Sequence, residues 1–246
     1  AAEAFQDKYA AVLTTSIHIL DMVAHHYMNG ICDDLRMKYT GSFSAAMYDL
    51  LKKEQRKQLL LFAKYFLLSI RQKHPMPRNY APVLDYPYEY RPSLVKDLLP
   101  TRDKKILIVS DAKPEQHNLN WMLTRLQDSF FGYTEVINLN YLDIKGGCLG
   151  CLQCAYGNVC VYEGKDKFVD FFNDKVKPAD VIIFAGAVKD RFLSSRWKCF
   201  FDRTFFNTHI PSMTGKQIGF LVSGPLSQLP DLRQFMEAYV EVQQGN

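Results

Sequence analysis

Short apolar runs alternate with helix-length amphipathic segments along most of this chain. No other feature of it constrains the fold as tightly. "KYAAVLTTS" (8–16), "MKYTGSFSA" (37–45), "KKILIVSD" (104–111), "TEVINLN" (134–140), "ADVIIFAGAV" (179–188) and "KQIGFLVSG" (216–224) read as strands covered on both faces. Between and after them lie helix-length stretches: 19–35, 47–72, 119–130, 166–176, 194–206 and 231–244. The stretch 47–72 places Leu50, Leu51, Leu59, Phe62, Ala63 and Phe66 on one stripe. Strands separated by crossover-length helices predict an α/β fold, a doubly wound parallel sheet in three layers.

Residues 74–103 interrupt the alternation. They hold six of the eleven prolines, and proline at that density forbids regular helix, so this stretch is predicted as an extended, tyrosine-bearing connector. The expected organisation is therefore 1–74, a βαβα piece; 75–103, the connector; and 104–246, an α/β domain of four strands. A weak repeat supports partial duplication. Residues 7–20 and 215–229 share a lysine, an apolar strand and a hydroxyl at the strand end, with a helix after each. The first piece then corresponds to the last two βα units of a fold whose first four strands make up the second.

Composition narrows the class. At 246 residues, 48% hydrophobic and 23% charged, the chain has ample material for a buried core. A net charge of +4 is too mild and too dispersed to argue for nucleic acid. With no apolar run of spanning length and no recognisable secretory leader, a cytoplasmic, membrane-free protein is expected. Six cysteines in such a chain are poorly explained as a disulfide framework. Cys32 and Cys199 read as buried small hydrophobes. His25 and His26, about 100° apart on a helix, make a poor metal pair.

The other four cysteines fall in "CLGCLQCAYGNVC" as Cys148-x2-Cys151-x2-Cys154-x5-Cys160. Thiolates at this spacing can turn around one small object, and the neighbouring glycines allow close backbone approach. A [4Fe–4S] cluster suits the spacing. Zinc and metal-free thiols are the alternatives.

From Cys148 through "KCFFDR" the chain resembles the iron–sulfur flavoproteins and the related NADPH-dependent FMN reductases, which are flavodoxin-like. The Cys148, Cys151, Cys154, Cys160 segment matches the family's cluster loop, and Lys198, Phe200 or Phe201, Asp202 and Arg203 match its K-x-F-x-D-R ending. The resemblance covers about 104–246. It implies an FMN site at the carboxyl ends of the strands. Ser110, Lys113 and Asn118 would hold the phosphate, with Val109 where the family has glycine and Leu119 where it has threonine. Ala187, Val188 and Lys189 would lie along the ring, in a loop that lacks the family's proline and tyrosine. Ser223, Gly224 and Pro225 would form the rim, with Thr15, Ser16 and His18 in the matching place of the first piece.

The function expected is a redox flavoprotein passing electrons from NAD(P)H or a reduced donor, through FMN and a [4Fe–4S] cluster, to a small-molecule or protein acceptor. No catalytic side chain is assigned, since the flavin carries the chemistry. Homodimers or tetramers are common in the family. Two other readings stand beside it: a cluster-free FMN reductase, and a degenerate, non-catalytic binding or dimerisation module.

Overall fold

The computed structural model describes residues 2–16, 20–46, 48–207 and 210–246. His18 lies outside them. The chain forms two compact units: residues 1–84 with 228–235, and 85–227 with 236–246. The dividing point falls inside the proline-rich connector.

The first unit opens with a short helix, α1 (Ala2–Phe5), then β1 (Tyr9–Ser16), α2 (Asp21–Asp34), β2 (Lys38–Ala46) and α3 (Lys53–Arg71). β1 and β2 pair in parallel, Tyr9 opposite Lys38 and Ser16 opposite Ala46. α3 is shorter than the amphipathic stretch suggested. Asp49–Leu51 forms a separate 3-10 turn and Lys52 is extended, so Leu51 falls off the expected stripe and stands exposed. The face that packs inward carries Leu59, Phe62, Phe66 and Ser69, with Phe62 against Phe43 of β2 at 5.9 Å between ring centres. The connector begins against α2. Buried Asp33 accepts from the backbone N–H groups of Asn79 and Tyr80 at 2.8 and 2.9 Å.

In the second unit β3 (Leu99–Pro100) pairs with β5 (Phe130–Phe131) as a minimal ribbon. The main sheet holds β4 (Ile106–Ser110), β6 (Thr134–Asn138), β7 (Val181–Ala187) and β8 (Gln217–Ser223), all parallel, in the order β6-β4-β7-β8. This is the order of the first four strands of a flavodoxin-like sheet. β4 is central and every residue in it is buried, which is why its sequence is apolar without alternation.

Side-chain alternation sends each strand to two cores. On one face Ile106, Ile108 and Ala185 pack with Leu119 and Leu123 of α4 (His117–Gln127). On the other, Phe184 of β7 meets a group of rings. Trp197, Phe200 and Phe201 of α6 (Ser195–Arg203) lie 5.6, 5.3 and 5.9 Å from it, and Tyr239 of α7 (Pro230–Val242) at 5.8 Å. α5 (Phe168–Phe171), which runs on as a π-turn over Phe172–Val176 where one helix was expected, adds Phe168 at 5.7 Å from Phe200. The three layers follow from topology. The path from β4 to β6 steps to one side, and the path from β6 to β7 returns across β4, so same-handed crossovers put α4 opposite α5 and α6. Among the described residues no helix is long and apolar enough to cross a membrane.

Candidate functional site

Because β4, β7 and β8 are parallel neighbours, the loops after them emerge at one edge of the sheet. That edge brings together Ser110, Lys113 and Asn118, then Ala187, Val188 and Lys189, then Ser223, Gly224 and Pro225. The last two loops touch directly. Val188 N–H donates to Ser223 C=O at 2.8 Å. Gly224 sits at φ +133°, and a Cβ there would come within 2.7 Å of Val188 Cβ. After Val188 the chain closes a tight hairpin. Lys189 and Phe192 exchange backbone hydrogen bonds at 2.7 and 3.2 Å around Asp190 in the left-handed region, leaving Lys189 exposed on its tip.

The loop from Ser110 to Asn118 is held by side-chain amides that sequence reading did not single out. Asn140 Nδ2 donates to Asp111 C=O at 2.7 Å and Asn138 Nδ2 to Ala112 C=O at 2.6 Å. Asn120 Nδ2 donates to the carbonyls of Lys113 and Gln116 at 2.7 and 2.9 Å. Four carbonyls are thus drawn back by asparagines. The available signal was "NLN" at the end of β6, and Asn120 just inside the start of α4. α4 begins at His117 with no side-chain cap: Gln116 instead accepts from Lys113 N–H at 2.8 Å. An uncapped helix start with its loop carbonyls turned away is the backbone arrangement that favours an anion.

Two features work against that. Asp111, immediately after β4, is buried, and burial pushes its carboxyl above the usual range. The Ser194 hydroxyl, the Trp197 indole and Lys113 pull the other way, without cancelling it. Ser194 caps α6, accepting from the N–H groups of Arg196 and Trp197 at 3.2 and 3.4 Å, so Asp111 lies near a helix start that favours negative charge. Asp111 Oδ1 and Trp197 Nε1 are nevertheless both buried without a well-formed hydrogen bond. The second feature is Asn118. Its Oδ1 accepts from Tyr90 N–H at 2.7 Å and its Nδ2 donates to Tyr88 C=O at 2.5 Å, so the connector occupies this side chain.

The cysteine loop is anchored by a buried ion pair. Arg203 donates to both oxygens of Asp166 at 2.6 and 3.0 Å and to Gly146 C=O at 3.2 Å. Its guanidinium also stacks over Tyr162 at 4.2 Å and Phe168 at 4.9 Å. Asp166 in turn accepts from Lys145 and Phe168 N–H groups, each at 3.1 Å. Both ends of the 146–166 segment are therefore tied to one point on α6. Burial would raise the Asp166 carboxyl, but Arg203 and the two N–H donors hold it below the ordinary carboxylate value. Arg203 belongs to the matched K-x-F-x-D-R motif, whose structural role sequence did not reveal. Lys198 and Asp202 of the same motif pair on the exposed side of α6.

Within the loop the thiols differ in exposure. Cys148 and Cys151 are exposed, Cys154 is buried and Cys160 half-buried. Gly150 and Leu152 both take left-handed φ, at 63° and 57°, and the 3-10 turn Gln153–Tyr156 carries Cys154 inward. Burial, then the neighbouring thiols, push the Cys154 thiol up. Among the described residues, no three His, Cys, Asp or Glu side chains form a group able to hold a metal ion. The expected ligands Cys148, Cys151, Cys154 and Cys160 thus share one loop with Cys154 near enough to the other three to feel their charge, and a cluster on them stays an expectation from their spacing. Cys199 differs from expectation, being half-buried, whereas Cys32 is buried.

In the first unit a cleft of about 510 Å³ is lined by Asp21, His25, His26, Ser42, Ser44 and Gln234. His25 and His26 are not simple surface residues. His25 Nε2 bonds Thr14 Oγ1 at 2.8 Å and His26 Nδ1 bonds Asp231 at 2.9 Å.

No protein-family model matches the chain, and among curated proteins nothing matches it. Among solved structures it is similar to the Trp repressor binding protein from Bacillus subtilis, at 15% identity over 58% of this chain and 79% of that one, with a TM-score of 0.42. It is also similar to RosB with bound 8-demethyl-8-formylriboflavin-5'-phosphate, at 13% identity over 58% of this chain and 61% of that one, TM-score 0.42. At that distance neither informs the chemistry of this chain.

Proposed function

We propose that this chain is a redox flavoprotein module that binds FMN at the carboxyl edge of β4, β7 and β8. The observation that carries the reading is the uncapped start of α4, set beside the point where the strand order reverses and fronted by a loop whose carbonyls are drawn back by Asn120, Asn138 and Asn140. Sheets of this kind bind nucleotides at that crevice. The phosphate would take the N–H groups at the start of α4 with Ser110 and Lys113, while Ala187 to Lys189 and Ser223 to Pro225 would border the ring. Lys189, exposed on its hairpin, can place positive charge against the reducible edge of the ring. A bound flavin would supply exchange between two-electron donors such as NAD(P)H and one-electron acceptors. Trp197 is buried close against Gly186, just before the loop that would border the ring.

A titration of FMN fluorescence tests the reading. One FMN per chain should be bound, with riboflavin at least about 10-fold weaker, because hydrogen bonds to a charged phosphate contribute about 1.5–3 kcal/mol. Equal affinity for the two, or no saturation, refutes it. A bound cluster on Cys148, Cys151, Cys154 and Cys160 is supported by their spacing alone; four irons and four sulfides per chain after anaerobic reconstitution would establish it.

A second reading is favoured by one observation, the clasp of the connector on Asn118. With that side chain taken and Asp111 placing a carboxyl in the phosphate loop, the module would be a non-catalytic scaffold with its nucleotide edge closed by its own connector. Failure of both FMN and riboflavin to bind, with the connector resistant to protease, is the outcome that favours it.

A further inference from the structure

From the outward face of α3 we infer a docking surface for a helix of opposite charge, a partner whose seam carries acidic residues every seven positions between leucines. This is independent of the flavin reading. The inward side of α3 is spent on β2, as Phe62 against Phe43 shows. Its outward side is not polar: Leu60, Leu61, Leu67 and Leu68 are 61, 49, 53 and 45% exposed. Isolated exposed leucines need no explanation, but four on one side of one helix do.

Their arrangement specifies the occupant. Lys57, Lys64 and Arg71 recur every seven residues, two turns or about 10.5 Å apart, along one line of the helix. Leu60 and Leu67 flank that line on one side, Leu61 and Leu68 on the other. The result alternates a cation with a leucine pair at three- and four-residue steps, the spacing of a coiled-coil seam. Within α3 there are five lysines and arginines and a single acid, Glu54, which lies 3.9 Å from Lys57. The seam is therefore apolar enough to pack and too basic to pack against itself. A second copy of α3 would bring cation against cation at each central position, the pairing that polar seam residues exclude. An anionic membrane is the wrong shape of partner. Interfacial helices keep their cations on the face opposite the apolar one, and here the cations run down its middle. What remains complementary is a helix with carboxylates at the central seam positions and leucines beside them.

The test uses the whole chain and two designed helical peptides of four heptads, alike except for glutamate or lysine at the central seam position, with binding read by fluorescence anisotropy. The glutamate peptide should bind at least about 10-fold more tightly than the lysine peptide, and the difference should shrink as salt rises. The triple variant Lys57→Glu, Lys64→Glu, Arg71→Glu should reverse the preference while keeping its helical circular dichroism. Equal binding of both peptides, or of neither, overturns the inference. So does sedimentation showing that the chain self-associates through this face, or partition onto phosphatidylserine vesicles without peptide binding. A Leu61→Ser, Leu68→Ser variant separates packing from charge. It should weaken the glutamate peptide at every salt concentration, and unchanged affinity would also overturn the inference.

Discussion

Replacing Arg203 by methionine removes the fixed point to which both ends of the cysteine loop are tied. Both side chains of the Arg203–Asp166 pair are 0% exposed. The substitution leaves a buried carboxylate with only the Lys145 and Phe168 N–H groups as partners, and strips the cation from the rings of Tyr162 and Phe168. Breaking one side of a buried pair costs about 3–5 kcal/mol. At about 2–4 °C per kcal/mol for a unit of this size, the melting temperature should fall by at least about 6 °C. Urea unfolding followed by the fluorescence of Trp197, buried two turns earlier on the same helix, reads the loss directly. The double variant Arg203→Met, Asp166→Asn should recover part of the stability, because it no longer buries an unpaired charge. The pH dependence gives a second check. Asp166 has a folded-state pKa below its unfolded value of about 3.9, so its contribution is complete above that value and lost as pH falls through the folded pKa. The acid limb of the stability curve should flatten in Arg203→Met. A loss under about 1 kcal/mol, or strict additivity in the double variant, would refute the clamp.

Other outcomes follow from the same geometry. Asp111→Asn should raise the melting temperature at pH 7 and not at pH 3, because a carboxyl whose folded pKa is raised costs stability only above its unfolded pKa; thermal melts at both pH values check this. The same change should tighten FMN binding, by removing a negative charge from the phosphate loop. Gly186→Ala should destabilise by about 1–3 kcal/mol and alter the near-ultraviolet circular dichroism of the indole, since its Cβ would lie 2.6 Å from Trp197 Nε1. Asn118→Ala should free the connector, seen as faster tryptic cleavage at Arg91 with little change in melting temperature.

Sequence by itself determined the order and kind of the elements. Doubly covered strands need unbroken apolar runs, crossover helices need helical periodicity, and both patterns are local. Six strands of the kind expected are present, and β4, buried along its whole length, is an interior one. Local pattern also reached the three loops of the candidate edge, because in a parallel sheet every loop after a strand leaves from the same side. It did not reach what those loops do with their polar groups. That Asn138 and Asn140 hold the Ser110 loop, that Tyr88 and Tyr90 of a distant connector take Asn118, and that Arg203 on α6 pins both ends of the cysteine loop are contacts across 26 to 57 residues of chain. The cysteine spacing had the same limit. It brings four thiols within one loop, but how deeply each is buried depends on what packs around the loop, and of the four only Cys154 is buried. Periodicity is a property of neighbours along the chain; the partner of a buried polar group is chosen by packing, which only the folded molecule decides.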